Sequence, residues 1–280
     1  MPLFKPNIAN LKSKRDVNGL VQALTIRDPE IRHDAAQALG ELNATHAIPA
    51  IVKMLLADDS ARGERIAAAN ALCKIGDEAN IGSLVQANDA SRRREHATID
   101  AALVSPDPRY RANLYINRIA AEEYEVRAAL AHAVGQIGGA SAIQALSEML
   151  ITENGAMESS VKNEIRAGIA AAAQKPGALA ALCQMIKHAS SEVRYWAAHC
   201  LGDLNDAASV DALLRAAYDE NESFDVRQIA LMGLGKIGDE RVMPYLEDLM
   251  HDPNPGVARS AMQCASAVRA RRNPASRASD

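Results

Sequence analysis

The chain has 280 residues, of which 48% are hydrophobic and only 3% aromatic, and 31 basic against 35 acidic residues give a formal charge of −4. A core of small aliphatic side chains suits closely packed helices and excludes most β architectures. The balanced charge offers no broad field for nucleic acid or an anionic membrane. No stretch approaches the ~20 apolar residues that span a bilayer, and the first ten residues lack the apolar core of a secretory signal, so we expect a cytoplasmic protein.

The elements predicted along the chain are helices that alternate between two kinds. Residues 1–11 hold two prolines and no helical period, which predicts an irregular N-terminal arm. A lone capping helix follows, and then helix pairs recur every 28 to 39 residues until a final helix ends near residue 269. Residues 270–280, with three arginines, are predicted to be a disordered tail. We therefore expect one repeat domain over residues 12–269.

A turn residue closes the first helix of each predicted pair. Every aligned copy has Gly, Asn or Asp there, the residue types that best tolerate a left-handed backbone. The turn positions are Asn43, Gly76, Asp107, Gly138, Gly177, Asn205 and Gly238. This recurrence predicts an all-α fold, a right-handed α-solenoid (α/α superhelix) of about seven helix pairs with a half-repeat cap at each end.

The first helices share a pattern that starts with a Val-Arg or Ile-Arg pair and continues through small residues to Leu-Gly. It is clearest in Ile31–Gly40, Val193–Gly202 and Val226–Gly235. The pattern resembles the HEAT-like repeats of the E/F-type phycobilin lyases. The resemblance covers almost the whole chain and implies a repeat superhelix, but it marks a packing unit and not one particular activity.

The second helices are expected to line an inner groove with a shallow polar row of mixed charge. A cluster of amides, one tyrosine and one arginine in the fourth pair would lie at its centre, where amphipathic groups often dominate binding. The alternative is a buried Tyr115 with merely solvated neighbours. The predicted partner-binding residues of the groove are Asn113, Tyr115, Asn117, Arg118, Glu148, Gln184 and Arg215.

Two other surfaces are candidates for secondary contacts. Tyr195 and Trp196 occupy repeat positions whose residues vary between copies, which is compatible with an exposed contact pair or with partial burial. Arg92, Arg93 and Arg94 suit a phosphate or an acidic partner, although a solvated helix face has the same pattern.

Two recurrent features have a structural interpretation. The four cysteines fall mostly at small core positions and lack metal-binding spacing. One arginine recurs early in the first helices, where it is predicted to cover apolar surface and to bridge to a nearby carboxylate. The arginines are Arg32, Arg65, Arg127, Arg166, Arg194 and Arg227, and the expected carboxylates include Asp28, Glu64, Glu125, Glu192 and Asp225.

One dipeptide raises the question of a metal. His33-Asp34 aligns with the His-Glu pairs by which HEAT-repeat deoxyhypusine hydroxylases hold two iron ions, and these side chains suit that metal. A site for two iron ions needs several such pairs that face one another. The equivalent positions here are Ile66-Ala67, Ala97-Thr98, Ala128-Ala129, Ala167-Gly168, Tyr195-Trp196 and Gln228-Ile229. We therefore predict no metal site, no cofactor and no catalytic residue.

The sequence thus predicts a non-catalytic scaffold, adaptor or assembly factor that binds another protein along the groove. The alternative, implied only by the resemblance, is a bilin lyase or bilin-handling chaperone subunit. Binding to DNA is not expected, because the predicted inner row is mixed in charge and not basic.

Overall fold

The computed structural model describes residues 5–104, 113–153 and 158–272, with the side chains of 98, 99, 101–104, 113–122, 158, 159 and 272 excepted. The helices are α1 (Ile8–Ser13), α2 (Val17–Ala23), α3 (Pro29–Glu41), α4 (Ile48–Leu56), α5 (Arg62–Ile75), α6 (Ile81–Val104), α7 (Asn113–Ile137), α8 (Gly139–Thr152), α9 (Glu158–Ala173), α10 (Ala178–Met185), α11 (Ser191–Leu204), α12 (Val210–Tyr218), α13 (Phe224–Ile237), α14 (Met243–Leu249) and α15 (Pro255–Arg272). No strand occurs within these ranges. The predicted all-α repeat solenoid is confirmed, and none of the described helices is both long and apolar enough to cross a bilayer.

The helices form two compact units, Met1–Ala172 and Ala173–Asp280. In the N-terminal unit α3, α5 and α7 pack side by side, and α4, α6 and α8 form a second row. In the C-terminal unit α11, α13 and α15 pack in succession, with α12 and α14 covering them. Each unit therefore repeats the two-layer arrangement expected of helix pairs. A single domain over residues 12–269 stays a prediction.

Glycines set the separation of the first helices at two crossings. A Cβ atom added to Gly135 would lie 2.4 Å from the Cα of Gly168, and one added to Gly202 would lie 2.6 Å from the Cα of Gly233. Real Cβ atoms do not approach carbon so closely, so these helices touch through their backbones. The small residues of the repeat pattern are thus explained by close packing.

The turn prediction is confirmed at five of its seven positions. Positive φ angles occur at Asn43 (53°), Gly138 (75°), Gly177 (81°), Asn205 (52°) and Gly238 (72°). It is wrong at Gly76, whose φ is −73°. Glycine is required there for space, since a Cβ would lie 2.4 Å from the carbonyl oxygen of Leu72. Asp107 lies outside the described residues.

Both ends of the chain are more helical than predicted. The arm was expected to be irregular to residue 11, but α1 begins at Ile8, where the Asn7 side chain accepts a hydrogen bond from the backbone N–H of Asn10. That cap satisfies one of the free donors of the first turn. At the other end α15 continues to Arg272, beyond the expected boundary at residue 269. Residues 273–280 lie outside the described range.

The largest departure from the prediction is that α6 and α7 each run through an expected helix boundary. Separate helices were expected near residues 78–87 and 92–103, and again near 110–120 and 124–137. Neither junction contains Gly or Pro, so no residue there ends a helix. Residues 88–104 and 113–123 therefore continue the two helices, and α6 packs against α7. We call these two stretches the α6–α7 insertion.

The insertion changes which repeats are neighbours. The predicted fourth pair was expected to stack on α5, but α5 packs directly on α7. Polar contacts report the same neighbours, because the Ser141 backbone N–H and hydroxyl both donate to the Glu78 carboxylate. The expectation that residues 92–103 form a separate helix of the array is therefore wrong, because they belong to α6.

Candidate active site

The recurrent arginine holds successive repeats together. In the C-terminal unit the guanidinium of Arg194 lies 2.5 Å from the Glu222 carboxylate and donates to the carbonyl of His188 at 2.6 Å. Arg227 lies 2.5 Å from Asp252 and donates to the carbonyl of Ala217 at 2.9 Å. Each arginine thus caps the end of the preceding second helix and pairs with a later carboxylate. We call these pairs the ion ladder.

The sequence predicted this structural role, but most of the carboxylates that pair with the arginines are not the predicted ones. Arg32 does pair with Glu64, one of the expected residues, at 2.5 Å. The partners of Arg194 and Arg227 come instead from the loops that follow α12 and α14. A local sequence pattern favours carboxylates on the same helix, whereas the fold brings up those of the next repeat.

In the N-terminal unit the same arginines join a buried ion network at the base of the α6–α7 insertion. Arg127, 1% exposed, lies 2.8 Å from Glu95 and 2.9 Å from Glu153, and its guanidinium stacks 4.6 Å from the ring centre of Tyr124. Its members are Arg65, Arg94, Arg127, Glu95, Glu123, Glu153 and Ser91. Among the described residues, three arginines thus face three glutamates in this network.

A cleft of about 540 Å³ opens between α10 and α12 in the C-terminal unit. Asp211, Arg215 and Asp219 recur every four residues and so line one wall. Lys187 and the half-buried Cys183 line the opposite wall. Burial raises the pKa of the Cys183 thiol, and the charges of Lys187 and Arg215 only partly oppose that rise.

Hydrogen bonds orient two further polar groups of this cleft. The backbone N–H of Ser190 donates to Nδ1 of His188 at 3.0 Å, so the neutral imidazole carries its proton on Nε2. Asp219 accepts from the backbone N–H of Asn221 through Oδ1 at 2.9 Å. The Arg194–Glu222 pair closes one side. The cleft therefore offers carboxylates, cations and an oriented imidazole within one concavity.

His33 and Asp34 contact each other in the N-terminal unit. Nδ1 of His33 lies 3.1 Å from Asp34 Oδ1, beside a groove of about 330 Å³ that Glu30 and Gly63 help to line. Across residues 5–104, 113–153 and 158–272, no three His, Cys, Asp or Glu side chains converge as metal ligands.

Packing occupies the positions where further metal-binding pairs would stand. Ala67 and Ile229 are buried, and a Cβ on Gly168 would already lie 3.0 Å from the carbonyl oxygen of Ala131. Longer acidic side chains have no space at such contacts. Two iron ions held by His–acid pairs therefore do not fit the described part of this chain, because the donors are missing there.

The predicted groove residues are dispersed over four helices. Asn113, Tyr115, Asn117 and Arg118 lie on the first part of α7, and their side chains are outside the described residues. Glu148 is exposed on α8, Gln184 is exposed on α10 and Arg215 is exposed in the cleft. Of the three whose side chains are described, only Arg215 lines the cleft, and a partner-binding role for the set stays a prediction.

The secondary candidates have different surroundings. Tyr195 and Trp196 are both half-buried and meet edge to face with ring centres 5.5 Å apart, which fits the partial-burial alternative. Arg94 contacts Glu123 at 3.5 Å within the ion network, so the three arginines do not form one solvated face. Arg93 is exposed and Arg92 is half-buried.

Sequence reasoning missed most of the cleft. His188, Asp211 and Asp219 were not singled out, although the spacing of Asp211, Arg215 and Asp219 was visible as one helix face. The signal was weak, because solvated helices often carry such charges. Only the packing of α12 beside α10 shows that this face borders a concavity.

The fold defines the chain as an α-helical repeat protein. A family model described as HEAT repeats matches residues 17–102, 156–224 and 179–267. The chain therefore belongs to the HEAT-repeat family. That result supports the predicted HEAT-like repeats.

Relatives of known name are enzymes. Deoxyhypusine hydroxylase-B of Oryza sativa subsp. japonica is 27% identical over 264 residues, which cover 91% of this chain and 82% of the relative. Deoxyhypusine hydroxylase of Homo sapiens is 34% identical over 94 residues, 34% of this chain and 30% of the relative. The match to the human enzyme is thus confined to about a third of each chain.

Two solved structures align with most of the chain at low structural similarity. Human deoxyhypusine hydroxylase in complex with glycerol has a TM-score of 0.37 at 19% identity, covering 94% of this chain and 88% of that one. The complex of CpcE and CpcF of phycocyanin lyase from Nostoc sp. PCC7120 has a TM-score of 0.41 at 20% identity, covering 96% and 98%.

The sequence relatives overturn the predicted function. A non-catalytic scaffold was expected, with a bilin lyase as the alternative, yet the relative that aligns with 91% of the chain is named as a hydroxylase. The expectation that the chain is not an enzyme is wrong on that finding. Short repeats of mainly packing residues display no familiar catalytic motif, so the sequence pattern gave no sign of an enzyme.

Proposed function

We propose that the chain is an enzyme that acts on an amine-bearing side chain of the kind that deoxyhypusine represents, with the cleft between α10 and α12 as its active site. The similarity to deoxyhypusine hydroxylase-B over 264 residues carries this proposal. The cleft supports it, since an active site is normally a concavity with a few convergent polar groups. The four unpaired cysteines suit a reducing compartment such as the cytoplasm.

The residues of the cleft divide into binding and proton-handling groups. The carboxylates of Asp211 and Asp219 suit the ammonium groups of an extended amine, because charge-assisted hydrogen bonds are the stronger ones. His188 presents an N–H whose position is fixed by the bond from Ser190, so it is suited to donate to a reacting oxygen or nitrogen. Lys187 and Arg215 are placed to bind carbonyl oxygens of a polypeptide substrate.

The iron pair of the hydroxylases has no counterpart among these residues. None of the other repeat positions equivalent to His33-Asp34 holds a His–acid pair, so this pair has no second pair of its kind beside it among the described residues. We therefore assign to this chain only substrate binding and proton handling by its own side chains.

The test is a reaction with a protein that carries deoxyhypusine, followed by mass spectrometry of the modified peptide. The buffer supplies dissolved oxygen and a two-electron reductant, because binding and proton transfer alone leave the mass unchanged. A gain of one oxygen atom in the side chain that depends on the chain is expected. Asp211→Asn with Asp219→Asn should lower the rate at least about tenfold, because each lost charge-assisted bond is worth about 1.5–3 kcal/mol. Asp58→Asn with Asp59→Asn removes two exposed charges from the other unit and should leave the rate unchanged.

Two results contradict the proposal. An unchanged substrate mass at enzyme concentrations equal to the substrate would remove deoxyhypusine and its close analogues. Equal rates for the cleft variant and its control would move the active site elsewhere.

A further inference from the structure

Two tyrosines stand exposed beside the cleft, on the second helices of the C-terminal unit. Tyr218 at the end of α12 is 40% exposed and Tyr245 on α14 is 48% exposed. Their rings meet edge to face, with centres 6.2 Å apart and planes at 90°. The Tyr218 hydroxyl donates to the Asp248 carboxylate, which holds its ring in place. We call Tyr218, Tyr245, Asp219 and Asp248 the tyrosine face.

This arrangement is more than packing requires. Rings that are so exposed gain little from burial, and tyrosines fixed by a neighbour lose little conformational entropy when they bind. A ring surface bordered by carboxylates attracts a cation, because the negative π face and the acid act together. Tyr245 offers its ring, and Asp248 lies on the same helix one turn away.

The surrounding charge is mainly negative. Asp219, Glu220, Glu247 and Asp248 are all exposed here. The C-terminal end of the nine-residue helix α12 adds partial negative charge at Tyr218. The cations beside them include Arg215, which lies one turn before Tyr218, and Arg269, which lies 3.7 Å from Glu247 in an exposed pair. Lys187 lines the same cleft as Asp219.

We infer that the tyrosine face binds a lysine or arginine side chain in a basic segment of the protein that carries the substrate residue. The inference rests on the proposed function, and Asp219 connects the two sites because it lines the cleft and borders Tyr218. With the amine-bearing side chain in the cleft, a neighbouring basic residue of the same polypeptide lies against the rings. The face then contributes affinity and orientation, while the chemistry stays in the cleft.

The test uses the full chain and two synthetic peptides, one rich in Lys and Arg and one of the same length rich in Glu. Titration calorimetry should show binding of the basic peptide only. That binding should weaken between about 50 and about 300 mM salt, because exposed charges are screened. Tyr245→Ala should weaken it about fivefold, whereas Tyr245→Phe should change it by less than about twofold, because the ring face is kept.

Matched variants separate this site from a general surface effect. Met232→Ala removes an exposed apolar side chain of the same unit and should leave peptide binding unchanged. Asp248→Asn should weaken binding. Equal affinity for both peptides, or an unchanged affinity of Tyr245→Ala, would overturn the inference.

The readouts also distinguish this inference from the proposed function. Reaction with deoxyhypusine but no preference for the basic peptide removes the tyrosine face and leaves the enzyme. Binding of the basic peptide with the expected variant pattern, but no reaction, removes the enzyme proposal and leaves a binding site for basic segments.

Discussion

The same repeat arginine has two different surroundings in the two units. In the ion ladder Arg194 and Arg227 each pair with one carboxylate, and the Arg194 side chain is 20% exposed. In the ion network Arg127 is 1% exposed and lies between two glutamates. A regular repeat thus provides one acid for each arginine, near solvent for Arg194 and buried for Arg227, whose side chain is 6% exposed. The α6–α7 insertion adds glutamates and covers them with further helix, so the charges are buried.

Burial changes how much the ion pairs contribute to the stability of the fold. Taking charges out of water costs several kcal/mol for each ion, and a buried network offsets that cost only when all of its members are paired. The Arg194–Glu222 pair of the ladder borders the open cleft and keeps part of its hydration. We therefore expect the network to be intolerant of the loss of one member, and the Arg194–Glu222 pair to be more tolerant.

The largest effect is expected for Arg127→Met. Glu95 and Glu153 would remain buried without their cation, and the free energy of unfolding should fall by about 3–5 kcal/mol. Arg194→Met, in the ladder, should cost clearly less, because Glu222 borders the open cleft and can regain water. Chemical denaturation measures both. Equal losses would show that enclosure does not distinguish the two regions.

A second prediction separates the packed part of α7 from the open part of α6. Gly135→Ala should lower the free energy of unfolding by about 1–3 kcal/mol, because its Cβ would collide with Gly168. Gly82→Ala has no atom within 4 Å of the new methyl group and should raise it by about 0.5–1 kcal/mol, through lower entropy of the unfolded chain. The same sign for both variants would contradict the described packing.

A third prediction concerns the stability that the ion ladder provides at acidic pH. Burial alone would raise the pKa of Glu222 and of Asp252, but hydrogen bonds from Arg194 and Arg227 and from backbone N–H groups outweigh it, so both pKa values are lowered from 4.5 and 3.8. A carboxyl group whose pKa is lower in the folded than in the unfolded chain stabilises the fold at pH values above its unfolded pKa. That stabilisation is lost as the pH falls through the folded pKa.

The Tm of the chain should therefore be steady above about pH 5 and fall as the solution becomes more acidic. Arg194→Met removes the hydrogen bonds to Glu222, so its Tm should fall less between pH 5 and pH 3 than that of the parent chain. A parallel fall in both proteins would show that Glu222 contributes nothing to the acid sensitivity.

The smallest effect is on thiol reactivity. Burial raises the pKa of Cys200 and Cys264 to about 12, whereas Cys73 and Cys183 are half-buried and their pKa values are raised less far. A maleimide at neutral pH should modify Cys73 and Cys183 first, because the thiolate is the reacting form. Peptide mapping reads the order. Early labelling of Cys200 would contradict its burial in α11.

Much of the fold could be predicted from the residues. Helix periodicity located nearly every helix, and five turn residues were correctly assigned a left-handed backbone because Gly and Asn tolerate it locally. The candidate site could not be found in this way. His188 and Asp219 belong to different helical repeats, and their shared cleft depends on how α10 and α12 pack.

The sequence by itself determined the helical repeat, the small residues at its crossings and the arginine that recurs in the first helices, since each follows from backbone preference or side-chain size. Tertiary structure decided the rest. Whether the helix ends at residues 88–91 depends on tertiary contacts of the residues that follow, because no helix-breaking residue lies there. The partner of each arginine depends on the adjoining repeat. Charge enclosure around Arg127 and the cleft beside α12 are therefore properties of packed neighbours, which no single helix specifies.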